Sequence, residues 1–182
     1  MAGCKQVKFI VDWKQIDVEK ILRSMTSMTS TLKGGFGAYA KEYEKYSDPQ
    51  NLFDNWYVLA GQHLWSPLGL GEFDESGYIE NTAKNIAKPL KPLVRFYLLK
   101  AGQELKPHVD FKTKSCINLV YQKKFASIVV EGKEYPYGQF LLDNTRMHGV
   151  RACSEDRFII SFSFDVRYER VYAVLEKNGI LR

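Results

Sequence analysis

The 182-residue sequence lacks several features that would place it in a membrane or a disulfide-stabilised class. No stretch approaches the eighteen or so consecutive apolar residues that a membrane span needs. Its three cysteines, Cys4, Cys116 and Cys153, are odd in number and far apart, so we expect neither a disulfide framework nor a zinc knuckle. The first residues contain no signal-peptide hydrophobic region. These features predict a cytoplasmic protein with reduced thiols.

The sequence also lacks a dense basic stripe. The net charge of +5 is modest, and the local group Lys84, Lys88 and Lys91 is interrupted by Pro89 and Pro92. Such a group is typical of a solvated helix face, and no stacking aromatics interleave with it, which argues against a nucleic-acid groove. A basic balance also suits an anionic small molecule, so charge alone does not identify the partner.

Hydrophobic residues make up 45% of the chain, which is enough for one domain spanning residues 1–182. Residues 1–92 show mixed helical and loop patterns, residues 93–167 form short β-rich runs, and residues 168–182 form a short C-terminal element. Turn residues such as Gly132-Lys133 separate the runs, so strands are predicted near residues 93–99, 104–109, 115–121, 126–131, 138–142, 147–152 and 157–166. Regular spacing of about 8–12 residues favours an antiparallel sandwich or barrel. We therefore predict a mainly β fold with flanking helices, built on a double-stranded β-helix (jelly-roll, cupin-like) core.

Histidine is scarce, and two of the three histidines lie in this β-rich half. His108 and Asp110 are two residues apart at the end of a predicted strand, where alternation makes their side chains point the same way, about 7 Å apart along the chain. His148 follows an apolar strand and a polar turn, which places it at the mouth of the next strand. Two imidazoles and one carboxylate are the set typical of non-haem Fe(II) with open positions. A chance motif with structural histidines is the alternative interpretation.

Arg157 opens the last apolar run. On that strand it shares a face with Ile159, Ser161 and Ser163, which we expect to point into the barrel. A guanidinium there could pair bidentately with the far carboxylate of a 2-oxoacid cosubstrate. The alternative is an ordinary ion pair with Asp143 or Glu155.

Residues 95–108, 140–150 and 157–165 resemble the aspartyl/asparaginyl β-hydroxylase family. That family is a branch of the Fe(II)- and 2-oxoglutarate-dependent dioxygenases, which also include free-proline hydroxylases. The matching pieces are x-P-H at the metal strand, D-N-T-x-x-H around the distal histidine and R-x-x-x-x-F after it. The resemblance covers roughly residues 93–166.

The resemblance implies His108 and His148 as iron ligands, with Asp110 completing a full triad. It also implies Arg157 as the partner of the distal carboxylate of 2-oxoglutarate. Further cosubstrate contacts are expected from residues on neighbouring strands, namely Tyr97, which stands where the family has a small hydroxyl, Asn118 and Ser161.

The implied cofactors are Fe(II), 2-oxoglutarate and O2, with ascorbate as a candidate reductant. The implied reaction hydroxylates a C–H bond of an amino acid or a protein side chain and yields succinate and CO2. Halogenation is not expected, because it generally requires a small residue in place of the carboxylate ligand. Candidate substrate contacts lie beside the distal histidine and in a glycine- and aromatic-rich segment, namely Arg146, Arg151, Trp65 and His63.

Two other classes of protein fit the same ligands. A non-catalytic or zinc-binding cupin-like module would use the two histidines and the aspartate and leave Arg157 incidental. A metal-dependent hydrolase or isomerase on the same scaffold would need a general base, for which only Glu104 and Asp143 are nearby.

Overall fold

The computed structural model describes residues 3–27, 56–59, 70–110, 113–121, 127–136 and 138–181. Within them the chain forms eleven strands, three α-helices and two short 3-10 helices, Trp13–Gln15 and Gly71–Phe73. The strands are β1 (Cys4–Gln6), β2 (Met25–Ser27), β3 (Trp56–Leu59), β4 (Leu93–Leu99), β5 (Leu105–His108), β6 (Ser115–Val120), β7 (Ile128–Val130), β8 (Lys133–Tyr135), β9 (Phe140–Asp143), β10 (His148–Val150) and β11 (Arg157–Phe164). The helices are α1 (Val18–Arg23), α2 (Tyr78–Ala87) and α3 (Tyr168–Lys177). Among the described residues, no helix has the length and hydropathy of a membrane span.

Strands β4 to β11 belong to two antiparallel sheets, and the chain crosses from one sheet to the other after each strand except within the β7–β8 hairpin. The larger sheet has the order β1-β9-β6-β11-β4-β3-β2, and the smaller has the order β5-β10-β7-β8. Along the chain, β4, β6, β9 and β11 belong to the larger sheet, and β5, β7, β8 and β10 belong to the smaller one. This arrangement is a double-stranded β-helix. The predicted mainly β fold with a jelly-roll core is therefore confirmed.

Strand β11 separates two apolar cores because its side chains alternate between two faces. Phe158, Ile160 and Phe162 pack against the helices in one core. Ile159 points between the sheets into the second core, on the same face as Arg157. The neighbouring strands continue this division, since Phe96 and Leu98 of β4 belong to the first core whereas Leu99 belongs to the second. The interior of the barrel is therefore the second core, and polar residues on that face of β11 face the space between the sheets.

Three strands were not expected from the sequence: β2 and β3 lie within residues 1–92, where helical and loop patterns are predicted, and β8 follows Gly132. Gly132-Lys133 was interpreted as a break between strands, whereas β7 and β8 form a hairpin that turns at Glu131 and Gly132. These two residues have φ values of 49° and 79°, as a two-residue hairpin turn requires. The glycine that suggested an end of β structure is thus the turn inside it.

Candidate metal centre

Strands β5 and β10 bring the two histidines together. His108 ends β5 and His148 begins β10, and the two residues are direct partners across the antiparallel pair. Their ring centroids lie 4.4 Å apart. A side chain on Gly149 would place its Cβ 2.7 Å from the carbonyl oxygen of Leu105. Glycine at this position therefore permits the close approach of the two strands.

Asp110 reaches the histidines from the loop after β5. Its Oδ1 lies 3.4 Å from His108 Nε2 and 4.0 Å from His148 Nε2. One ligand atom from each of the three residues can be chosen so that all lie within 4.8 Å of one another. Strand β5 ends at His108, one residue before the end expected from the sequence, so Asp110 lies in the loop that follows and strand alternation does not position its carboxylate. The loop is instead held by a hydrogen bond from the Asp110 backbone N–H to the Asn144 carbonyl, at 3.0 Å.

Both imidazoles are oriented through their Nδ1 atoms. His108 Nδ1 lies 2.8 Å from the carbonyl oxygen of Lys106, and His148 Nδ1 lies 2.8 Å from that of Arg146. A carbonyl oxygen can only accept, so each Nδ1 carries the proton. In the neutral ring the lone pair is then on Nε2, on the side of Asp110. Metal-binding histidines are held in this manner by their second nitrogen.

The electrostatics of the three groups suit a cation. Burial lowers the pKa of His148, and the neighbouring His108 lowers it further. Burial also lowers the pKa of His108, but the hydrogen bond and charge of Asp110 outweigh it, so the pKa is raised. Burial raises the pKa of Asp110, yet His108, His148 and Asn144 together bring it below its usual value. The carboxylate is therefore ionised near neutral pH, as a metal ligand must be.

Asn144 holds the carboxylate of Asp110, a role that the sequence did not suggest. Its Nδ2 donates a short hydrogen bond to Asp110 Oδ2, and its Oδ1 accepts from Cys116 Sγ at 3.1 Å. Asn144 and Cys116 are each 3% exposed. Asn144 belongs to the D-N-T motif, which was the available signal, but its pairing with Asp110 depends on the fold.

All four proposed cosubstrate residues lie on the inner face of the larger sheet. Arg157 is 2% exposed, and its Nη2 donates to the carbonyl oxygen of Arg151 at 3.0 Å. Tyr97 is the partner of Ile159 across the β4–β11 pair, two residues along β11 from Arg157. Ser161 lies two residues beyond Ile159 on β11, and its Oγ is 3.4 Å from the Oγ of Ser163. Asn118 of β6 is the strand partner of Ser161.

A second buried arginine, Arg95, was also not expected. It lies on β4 two residues before Tyr97 and is 9% exposed. Its Nη1 donates to Thr113 Oγ1 at 3.0 Å and makes a weaker 3.5 Å contact with the Tyr97 hydroxyl. Burial raises the pKa of Tyr97 and outweighs the nearby Arg95 charge, which lowers it. A charged residue inside the apolar run of β4 was the available signal.

Two of the four predicted substrate contacts, Arg146 and Arg151, lie in the described part of the chain. Arg146 forms ion pairs with Asp143 at 3.1 Å and Glu131 at 2.8 Å, and Arg151 pairs with Glu134 at 2.9 Å. These ion pairs account for both arginine side chains without a ligand, so their substrate role stays a prediction. His63 and Trp65 lie outside the described residues.

The strand order and these ligands define a jelly-roll protein with a His-Asp-His group able to hold a metal ion. Within the described ranges, it is the one such group of three histidine, cysteine or acidic residues. No protein-family model matches the chain, and no curated protein does.

Solved structures of cupin and related proteins match part of the chain. A predicted oxalate decarboxylase from Thermotoga maritima is 16% identical, with a TM-score of 0.34 over 47% of this chain and 72% of that one. A salicylate 1,2-dioxygenase from Pseudaminobacter salicylatoxidans is 17% identical, with a TM-score of 0.32 over 49% of this chain and 23% of that one. An RmlC-like cupin protein from Desulfovibrio desulfuricans is 23% identical, with a TM-score of 0.30 over 38% and 69% of the two chains. The fold assignment rests on the strand order of this chain.

Proposed function

We propose that this protein is a non-haem Fe(II)- and 2-oxoglutarate-dependent dioxygenase that hydroxylates a C–H bond of an amino acid or a protein side chain. The observation that carries the proposal is the group formed by His108, Asp110 and His148, whose ligand atoms lie within 4.8 Å of one another. Two imidazole nitrogens and one carboxylate are the donors that bind Fe(II) and leave positions open for small ligands.

The surroundings of the triad favour an open catalytic site over a structural zinc site. A structural zinc site requires four protein ligands, usually including thiolates. The nearby Cys116 instead donates to Asn144, and burial raises its pKa to about 12. It therefore remains a protonated thiol that supports the metal ligands indirectly.

The same surroundings give less support to a hydrolase. Glu104 is exposed just before β5, at the opposite end of that strand from His108. Asp143 is buried and accepts hydrogen bonds from Thr145 and Arg146. Glu104 is therefore remote from the triad, and Asp143 is already engaged by Thr145 and Arg146, so neither is favoured as a general base.

Each residue has a definite role in the proposed enzyme. His108, Asp110 and His148 would hold the iron, and Arg157 would pair through its planar guanidinium with the far carboxylate of 2-oxoglutarate. Tyr97, Asn118 and Ser161 would supply further hydrogen bonds to the cosubstrate. When bound, iron would activate O2 as the oxidant for C–H hydroxylation, with 2-oxoglutarate supplying two electrons and leaving as succinate and CO2, and ascorbate could keep the metal reduced. The apolar residues between the sheets, such as Ile159, exclude water from this space.

The proposal is tested by adding Fe(II) and 2-oxoglutarate to the protein without oxygen. We expect a weak visible charge-transfer band that is absent in His148→Ala and Arg157→Ala. Arg170→Ala, the same arginine change at an exposed position of α3, should keep the band. Circular dichroism establishes that each variant is folded. If the wild-type protein shows no band and forms no succinate in air with any substrate tested, the proposal is wrong.

A further inference from the structure

The barrel interior contains two buried arginines at different levels, and their separation bears on the substrate of the proposed reaction. Arg157 is the strand partner of Leu99, whereas Arg95 is the strand partner of Ser161. The two levels are four residues apart along β11, or about 13 Å at the usual rise per residue. The two guanidinium groups also have different partners, Thr113 Oγ1 for Arg95 and the Arg151 carbonyl oxygen for Arg157, so the interior has two separate cationic positions.

Arg95 lies at the end of the barrel that carries the metal ligands. Its partner Thr113 follows Asp110 by three residues, and Thr113 is itself 5% exposed. Cys116 donates to Asn144, which in turn holds Asp110. Its strand partner on β11 is Ser163, two residues along β11 from Ser161, the partner of Arg95. Arg95 is therefore close to the triad, while Arg157 is deeper in the barrel.

We propose that Arg95 and Thr113 bind the carboxylate of the substrate, and that the substrate is a small carboxylic acid such as a free amino acid. The inference rests on the proposed function, in which Arg157 takes the far carboxylate of 2-oxoglutarate. A carboxylate would form charge-assisted, bidentate hydrogen bonds with the planar fork of Arg95, and the Thr113 hydroxyl, which accepts from Arg95, could donate a further one to it. The guanidinium is buried, so the group that it binds must enter the barrel, which favours a small molecule over a side chain of a folded protein.

The test separates the acid group from the rest of the substrate. The protein is loaded with Mn(II) and 2-oxoglutarate without oxygen and titrated calorimetrically with the common L-amino acids and with their carboxamides. We expect at least one acid to bind and its amide to bind roughly 10- to 100-fold more weakly, as for hydrogen bonds lost from a charged group. In Arg95→Gln the acid should bind as weakly as the amide, while the affinity for 2-oxoglutarate changes by less than about 2-fold.

Three further variants make the outcome decisive. Arg170→Gln makes the same change on the surface and should leave both affinities unchanged. Arg95→Lys keeps the charge without the fork, and Thr113→Val removes the hydroxyl at nearly constant volume, so both should reduce the difference between acid and amide. If Arg95→Gln does not fold, these two variants decide the question.

Several results would overturn the inference. The first is that no amino acid binds the wild type. The second is that Arg95→Gln keeps the full difference in affinity between acid and amide. The third is that Arg95→Gln no longer binds 2-oxoglutarate while Arg157→Gln still does. If the wild type binds no 2-oxoglutarate, the proposed function fails by itself. Titration with Mn(II) alone then still tests Arg95, since loss of the acid preference in Arg95→Gln would support an anion site there.

Discussion

Asn144 shows how a single residue can determine the geometry of the candidate metal centre. Its backbone carbonyl accepts from the Asp110 N–H, and its side chain donates to the Asp110 carboxylate. Asp110 lies on a loop rather than a strand, so these two contacts orient a ligand that regular secondary structure does not. Residues that hold metal ligands in this way contribute strongly to metal affinity.

Replacing Asn144 should therefore weaken metal binding. We expect Asn144→Ala to reduce the affinity for Co(II) or Mn(II) by about 10- to 100-fold, because Asp110 loses its orienting donor. Asn144→Asp should be at least as harmful, since it places a second carboxylate against the first. Titration of the metal, followed by absorbance or by electron spin resonance, measures both. The exposed Asn85 of α2 provides the control, because Asn85→Ala should have no effect. Equal affinity in Asn144→Ala and the wild type would refute the role.

Residues with distinctive chemistry could be recognised from the sequence, whereas their supporting residues could not. His108, Asp110 and His148 were chosen because few residue types bind iron and the chain contains few histidines. Arg95 and Thr113 are 18 positions apart, and nothing in either local pattern indicates that they meet. Their contact depends on where the loop after β5 returns to the inner face of β4.

At the level of elements, the metal centre depends on the approach of β10 to β5. The two strands place His148 opposite His108, and the register shifts between His148 and Val150. Gly149 lies inside this irregular pair, and its α-carbon faces the backbone of Leu105 and Pro107.

A methyl group at Gly149 should disturb both the fold and the site. In Gly149→Ala the new Cβ would lie 2.7 Å from the Leu105 carbonyl oxygen. This clash can be relieved only if the backbone of one of the two strands moves. We expect a loss of about 1–3 kcal/mol in the free energy of unfolding, typical of overpacking, together with weaker metal binding.

Gly138→Ala is the matched control for that experiment. No atom of the described residues beyond its chain neighbours lies within 4 Å of a Cβ at Gly138, so the change should stay within about 0.5 kcal/mol. Urea unfolding of both variants, with and without Mn(II), makes the comparison. If Gly149→Ala is as stable as the wild type and binds metal equally well, the close approach does not constrain this position.

The strand pattern was largely predictable because alternation of apolar residues is a local property. Strand β4 was expected at residues 93–99 and runs from Leu93 to Leu99. Strand β8 was missed because Gly132 can either end a strand or turn a hairpin, and only the pairing of Lys133 with Val130 distinguishes the two.

For the whole molecule, a bound metal would join parts of the chain that are distant in sequence. Its ligands come from β5, from the loop that follows and from β10, which belongs to the same sheet. A metal that binds only the folded protein stabilises it by mass action.

Metal should therefore raise the melting temperature of the apoprotein. At a concentration of 100 times Kd the gain is about 2.7 kcal/mol, or roughly 5–10 °C for a domain of this size. Thermal melts with Mn(II), Co(II) and Zn(II) would measure it, and His148→Ala should abolish it. His63→Ala removes the third histidine of the chain and should leave the shift unchanged. A shift that persists in His148→Ala would place the metal elsewhere.

The sequence alone was sufficient to predict the mainly β fold, most strands of the jelly roll and the inward face of β11 that carries Arg157. Each of these depends on residue chemistry or on alternation within a few neighbours. Tertiary structure alone connected Asp110 to Asn144 and, through it, to Cys116, and separated Arg95 from Arg157 along the barrel. These features depend on sheet order and strand register, which bring together residues tens of positions apart.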